Sequence, residues 1–173
     1  PSVDGGYACA IILDAAALAG RPELWAPEEA ARRWLDALSL VRPGHPGLVV
    51  GTIPEALGQM LVRWSPTDYA QRLLDEREAL GFFPACTMVA LDGTAAQVRQ
   101  VADQVVREGG AELVGTVAIP ATREGEQNQV RTLVRTPLPD TVAMLQALTD
   151  IRRSRSARKV PLVKMSVNPP ELF

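Results

Sequence analysis

Arg152, Arg153, Arg155, Arg158 and Lys159 place five cations within eight residues, and Lys164 follows five positions later. No aspartate or glutamate stands between Ile151 and Pro170. The chemistry open to such a run is attraction of a polyanion, with guanidinium and ammonium groups neutralising phosphate oxygens and releasing counterions. No aromatic residue interleaves with these cations, so stacking on bases is not indicated. The run begins where a helix is expected to end, and cations there also complement the helix dipole. That second reading covers Arg152 and Arg153. It leaves Arg155, Arg158 and Lys159, which run on toward the next strand, so a phosphate-contacting patch and a solvated helix end both stay open.

Other chemistry is thinly represented. His45 is the one histidine, and it sits in a Pro/Gly loop, the setting of a solvated loop residue. No Ser-His-Asp triad can be assembled around it. Cys9 and Cys86 lie in apolar runs without a Cys-x-x-Cys spacing, so the pattern predicts two buried, reduced thiols and no zinc site. No Gly-rich loop is followed by Lys and Ser or Thr, so a Walker-type phosphate cradle is absent. Asp14 ends the first expected strand, where α/β enzymes place functional carboxylates. A turn residue is the plainer reading of it, and no catalytic residue is assigned. Net charge is −2, so no global basic field advertises nucleic acid. No apolar run reaches the roughly 20 residues of a membrane span. The chain opens at Pro1 and enters a strand almost at once, which predicts a fragment of something longer.

The elements that must position these residues fall into two halves. Tyr7–Leu13 reads as a buried strand and Pro27–Leu40 as a helix with Glu28 and Glu29 in its first turn. Leu48–Gly51 reads as a strand and Pro54–Trp64 as a helix. Residues 1–64 therefore read β-α-β-α, the closing part of an α/β domain. Ser65–Pro84 joins the halves. Ser65 and Asp68 suit a capped start, Ala70, Leu73, Leu74, Arg77 and Leu80 an apolar stripe, and Gly81 a left-handed stop. Residues 85–173 read differently. The expected strands are Ala85–Leu91, Glu112–Ile119, Asn128–Thr136 and Val160–Val167. Helices over 94–108 and 139–153 separate them, giving β-α-β-β-α-β, a ferredoxin-like α+β plan. In the first of those helices Val98, Val101, Ala102, Val105 and Val106 form one stripe.

Three stretches carry a family resemblance: Asp68-Tyr69-Ala70-Gln71-Arg72-Leu73-Leu74-Asp75-Glu76-Arg77-Glu78-Ala79-Leu80-Gly81 with Pro84, then Leu113–Ala121, then Ala157-Arg158-Lys159-Val160 with Val163–Pro169. In order and spacing these resemble the C-terminal part of the replication restart (PriA, primosomal protein N′) family over essentially the whole chain. The resemblance implies that residues 1–64 end a RecA-like helicase lobe, that 65–84 connect, and that 85–173 form the family's ferredoxin-like C-terminal domain. It also implies zinc and ATP with magnesium bound by upstream parts, and none in this fragment. Active members carry a Gln-x-x-Gly-Arg-x-Gly-Arg motif whose arginines reach ATP phosphates. The corresponding Leu35–Arg42 has Ser39 at the first arginine position and keeps only Arg42, the pattern of a branch without intact helicase motifs. The family's basic loop is altered here to Thr122–Asn128.

Two classes of function follow. The first is a fragment of a cytoplasmic, nucleoid-associated primosome protein that is not itself an enzyme. It would bind single-stranded or branched DNA through Arg152, Arg153, Arg155, Arg158, Lys159 and Lys164, and would also meet other primosome or single-strand-binding proteins. The second is a regulatory or scaffold domain of ferredoxin-like plan that binds a small ligand or protein, with Gly93 at the first strand–helix turn. An acylphosphatase-like enzyme would need a Gly-rich loop and arginine after the first strand of that plan, which are missing.

Overall fold

The computed structural model describes residues 4–120 and 129–172. Internal contacts divide the chain into two units, Pro1–Leu73 and Leu74–Phe173. No helix among the described residues is long and apolar enough to cross a membrane.

The first unit runs β1 (Ala10–Ile12), α1 (Ala15–Ala19), α2 (Ala26–Leu38), β2 (Gly47–Val49), α3 (Glu55–Arg63) and the start of α4 (Pro66–Leu80). β1 and β2 pair in parallel, Ile11 beside Leu48 and Ile12 beside Val49. Ile12 and Val49 pack on a core of Ala15, Ala30, Trp34, Leu57, Met60 and Tyr69. The other sheet face is open among the described residues: Ile11, Leu13, Leu48 and Val50 are 49–73% exposed. This corrects the expectation of a buried first strand. Parallel strands become buried only when helices cover both faces, and here helices cover one. The short α1, between Asp14 and Gly20, is an element the sequence reading did not include, since Ala-Ala-Ala-Leu-Ala shows no helical period.

α4 is rotated from its expected face. Tyr69 is buried, Leu73 and Arg77 are half-buried, and Ala70, Leu74 and Leu80 are exposed. The stripe is therefore 69-73-77, set by the aromatic ring, which offers the largest area to bury. Its expected end is observed: Gly81 has φ +66, and the N–H groups of Phe82 and Gly81 bond the carbonyls of Arg77 and Glu78, a Schellman stop. Of the two phenylalanines that follow, Phe82 packs into a core and Phe83 is exposed. Cys9 is also exposed, against expectation, while Cys86 is buried, and both are unpaired thiols.

The second unit runs β3 (Cys86–Thr94), α5 (Ala95–Gly109), β4 (Glu112–Ile119), β5 (Gln129–Pro137), a 3-10 turn, α6 (Thr141–Ala157) and β6 (Lys164–Val167). The sheet order is β4-β5-β3-β6 with every neighbouring pair antiparallel. α5 and α6 cover one face. Val98, Val101, Ala102 and Val105 meet Met144, Leu148 and Ile151 there, over Val89, Leu91 and Val134. Each such large side chain taken from water contributes about 1.5–3 kcal/mol before chain entropy is counted. The other face centres on Met88, Ala90 and Leu133, with Phe82, Val114 and Leu172 against them. The architecture is thus mixed: a small parallel sheet, and a four-stranded antiparallel sheet with packed helices. The loop 122–128 singled out in the sequence lies outside the described residues.

Candidate nucleic-acid interface

α6 continues four residues beyond its expected end, to Ala157, and this extension decides where each cation sits. Met144, Leu148 and Ile151 face the core, and Arg155 is the next position on that stripe, 8% exposed. Its Nε and Nη2 donate to the Pro161 carbonyl at 3.3 and 2.8 Å, and its Nη1 donates to Gln100 Oε1 at 2.9 Å. The expectation that Arg155 spreads over a solvent face is therefore corrected. Its guanidinium ties the end of α6 to the link into β6 and to α5.

The remaining cations divide by partner. Arg153 lies 3.5 Å from Asp150, with both side chains more than 70% exposed, a pair that water screens almost completely. Arg152, Arg158 and Lys159 are exposed and have no ion-pair partner among the described residues. Lys159 has φ +55. The N–H groups of Val160 and Lys159 bond the carbonyls of Arg155 and Ser156, so the helix closes on a Schellman motif whose left-handed position holds lysine instead of glycine. That conformation costs a residue with a Cβ about 1–2 kcal/mol. Lys164 is not brought into this group. It begins β6 on the sheet face away from α5 and α6, 3.8 Å from Asp92.

Asp92 belongs to a cluster the sequence reading missed. Arg131 Nε and Nη2 donate to its two oxygens at 2.8 and 2.9 Å, and Arg131 Nη1 donates to the Glu171 carbonyl. The Arg131 hydrogen bonds hold the Asp92 carboxyl below its ordinary range, against the opposing effect of burial. On the same face Arg135 grips Glu112 through Nε and Nη2, and its Nη1 donates to the Leu80 and Gly81 carbonyls at the end of α4. The Arg135 bonds lower the Glu112 carboxyl likewise. The alternation Arg131, Leu133, Arg135 was visible in the sequence, but their partners follow only from the register that sets Asp92 opposite Arg131 and Glu112 opposite Arg135.

In the first unit, Ser39 Oγ donates to the Asp36 carbonyl and Arg42 Nε donates to the Gly6 carbonyl at 2.7 Å. The backbone supports the same join, with Arg42 N–H on the Tyr7 carbonyl and Tyr7 N–H on the Leu40 carbonyl. These two positions therefore bond the fold itself. Arg32 and Arg33 share the carboxylate of Glu29, whose pKa falls to about 2 through those hydrogen bonds. His45 is exposed and near its own loop's Pro43 carbonyl, and Asp14 caps α1 without a side-chain bond. Gly93 faces Val98, Gln97 and Val163 near the end of β3. No group of three or more His, Cys, Asp or Glu among the described residues could hold a metal ion.

The family described as primosomal protein N C-terminal domain matches residues 78–170. The probable replication restart protein PriA of Mycobacterium leprae (strain TN) is 38% identical over 123 residues, 69% of this chain and 19% of that protein. The protein of the same description from Mycobacterium tuberculosis (strain CDC 1551 / Oshkosh) is 42% identical over 101 residues, 57% of this chain and 15% of its own length. The chain thus corresponds to about a fifth or less of the curated relatives it matches.

Proposed function

The chain belongs to the primosomal protein N C-terminal domain family, and on that premise we propose that it is a DNA- and partner-binding part of a replication restart protein. The observation that carries the DNA reading is the group Arg152, Arg158 and Lys159 at a helix end, without ion-pair partners among the described residues, where lysine occupies a backbone position that glycine would hold more cheaply. Strained positions of this kind concentrate at functional sites. The second unit is a ferredoxin-like domain on this reading, and the first closes a RecA-like lobe. The open apolar face of β1 and β2 supports that assignment, since a parallel sheet of this kind is completed by more chain. Single-stranded or branched DNA and other primosome or single-strand-binding proteins are its partners, in the cytoplasm at the nucleoid. Zinc and ATP with magnesium belong to other parts of the longer protein.

DNA is held through phosphates, because no aromatic or amide side chain stands among the cations to read a base edge. Binding is weak, since the chain is net acidic. Replacing Arg152, Arg158 and Lys159 together with Gln is expected to flatten the log–log salt slope on single strands by about two units, at about 0.7 per phosphate. Unrelated DNA sequences should lose affinity equally. Fluorescence anisotropy at several salt concentrations measures this, and an unchanged slope in a variant that still melts cooperatively would leave the cluster a solvated helix end. The chain is also expected to release phosphate from ATP no faster than a protein-free control when DNA is present. Turnover that Arg42→Ala abolished would show that Arg42 reaches a nucleotide despite its bond to Gly6.

A further inference from the structure

Of the three tryptophans, Trp34 is buried and Trp25 half-buried, whereas Trp64 is 52% exposed. Trp64 closes α3 with φ +52, and the Ser65 N–H donates to the Met60 carbonyl. Glycine would hold that left-handed position more cheaply, and an indole elsewhere offers a large area to bury. Val62, two positions earlier, is exposed as well. Trp64 lines one cleft of the first unit, and its chain neighbours Arg63 and Ser65 line another. The first, of about 400 Å³, is apolar, with Val41, Val49, Ile53 and Leu61 in its wall together with His45 and Trp64. The second, of about 160 Å³, is polar and is lined by Gln59, Arg63, Ser65, Asp68, Tyr69 and Arg72. It sets two guanidinium groups against one carboxylate. Arg63 has no ion-pair partner among the described residues.

We propose that this corner is a second contact for single-stranded DNA, in which an unpaired base stacks on Trp64 in the apolar cleft and a neighbouring phosphate enters the polar one. The inference rests on the reading of the chain as a DNA-binding part, and it adds a base contact that Arg152, Arg158 and Lys159 cannot supply. Single-strand sites combine the same two parts, an aromatic face for a base and cations that follow the backbone. Here Trp64 and Arg63 are adjacent in the chain, a separation that one nucleotide spans. The guanidinium groups select an anion, and the apolar lining beside an indole selects a flat uncharged ring. A duplex keeps its bases paired and stacked, so only a single strand can use the cleft. Every base has a π-face, so the contact tolerates sequence. An aromatic side chain held exposed in a strained backbone conformation is also what a functional position looks like.

Fluorescence anisotropy on the 173-residue chain tests this with an oligothymidylate and an abasic strand of equal length and charge. The wild type should prefer the thymidylate. Trp64→Ala is expected to lower that affinity about fivefold or more. Abasic binding and the salt slope should stay unchanged, so the preference disappears. Trp64→Phe keeps an aromatic face and should keep a preference. Arg63→Gln should flatten the salt slope by about 0.7 on both strands and leave the preference intact. Alanine retains a Cβ, so the left-handed backbone is strained no further, and Trp64→Gly, which relieves it, repeats the test if the alanine variant melts early. A wild type that binds the two strands equally overturns the stacking site and leaves the contact of Arg152, Arg158 and Lys159 standing. A Trp64→Ala chain that still prefers the thymidylate overturns it too. Binding to neither strand overturns the DNA reading as a whole, and this site with it.

Discussion

Arg131→Met is expected to lower the stability of the second unit by about 3 kcal/mol at neutral pH, the lower end of the cost of stranding one member of a buried ion pair. Asp92 is 7% exposed toward the end of β3, and Arg131 supplies both of its short hydrogen bonds. Methionine fills the space of the arginine stem and leaves the carboxylate with Lys164 alone, 3.8 Å away on a largely exposed side chain. That residual partner keeps the loss toward the lower end. The variant also frees the Glu171 carbonyl, so the last residues should loosen from the sheet face that Leu172 helps to cover. Chemical unfolding followed by circular dichroism gives the stability difference, and a loss below about 1 kcal/mol would mean that the pair behaves as a screened surface bridge.

The pH dependence separates this mechanism from lost packing. Arg131 depresses the folded-state pKa of Asp92 below the ordinary value of 3.8. A depressed carboxyl contributes stability that is complete above the unfolded-state value and is lost as pH falls through the folded-state value. Wild-type stability should therefore decline below about pH 4 as this contribution goes. Without Arg131, burial raises the Asp92 pKa, so protonation relieves the stranded charge. The gap between variant and wild type should narrow as the pH drops. A gap that stays constant from pH 7 to pH 3 would assign the loss to packing.

The second unit was legible because its patterns are local. Four of the five α5 stripe positions are buried and Val106 is exposed, β4 has the bounds its sequence suggested, and β5 alternates between the helix face and the Arg131–Arg135 face. The first unit was less legible. β1 and β2 are apolar on both faces, so the sequence could not tell a covered face from an open one. α4 turned on Tyr69, whereas counting aliphatic residues favoured Ala70 and Leu74. The candidate site was legible in composition only. A run of like charge shows how many cations there are, and which of them reach solvent depends on where the helix stops. Ending the helix at Arg153 put Arg155 in a loop. Carrying it to Ala157 extends the spacing 144-148-151 to 155, which places that guanidinium on the core stripe.

Arg155→Met should therefore act on stability and not on the character of DNA binding. It removes donors to the Pro161 carbonyl and to Gln100 Oε1, and groups left unsatisfied at a partly buried site cost about 1–3 kcal/mol. The aliphatic stem survives as methionine, so core volume changes little. The link from Arg158 to Val163 loses its anchor, and hydrogen exchange should quicken in β6 and the last turn of α6 while the centre of β5 is unaffected. In the anisotropy titrations, where folded protein is titrated below its melting temperature, the salt slope should match the wild type, because a guanidinium that faces Gln100 releases no counterion from phosphate. The Arg152, Arg158 and Lys159 substitutions should give the opposite pair of results, a flatter slope and an unchanged melting temperature. If Arg155→Met instead flattens the slope by about 0.7 and leaves stability untouched, Arg155 turns outward to a phosphate when DNA is bound.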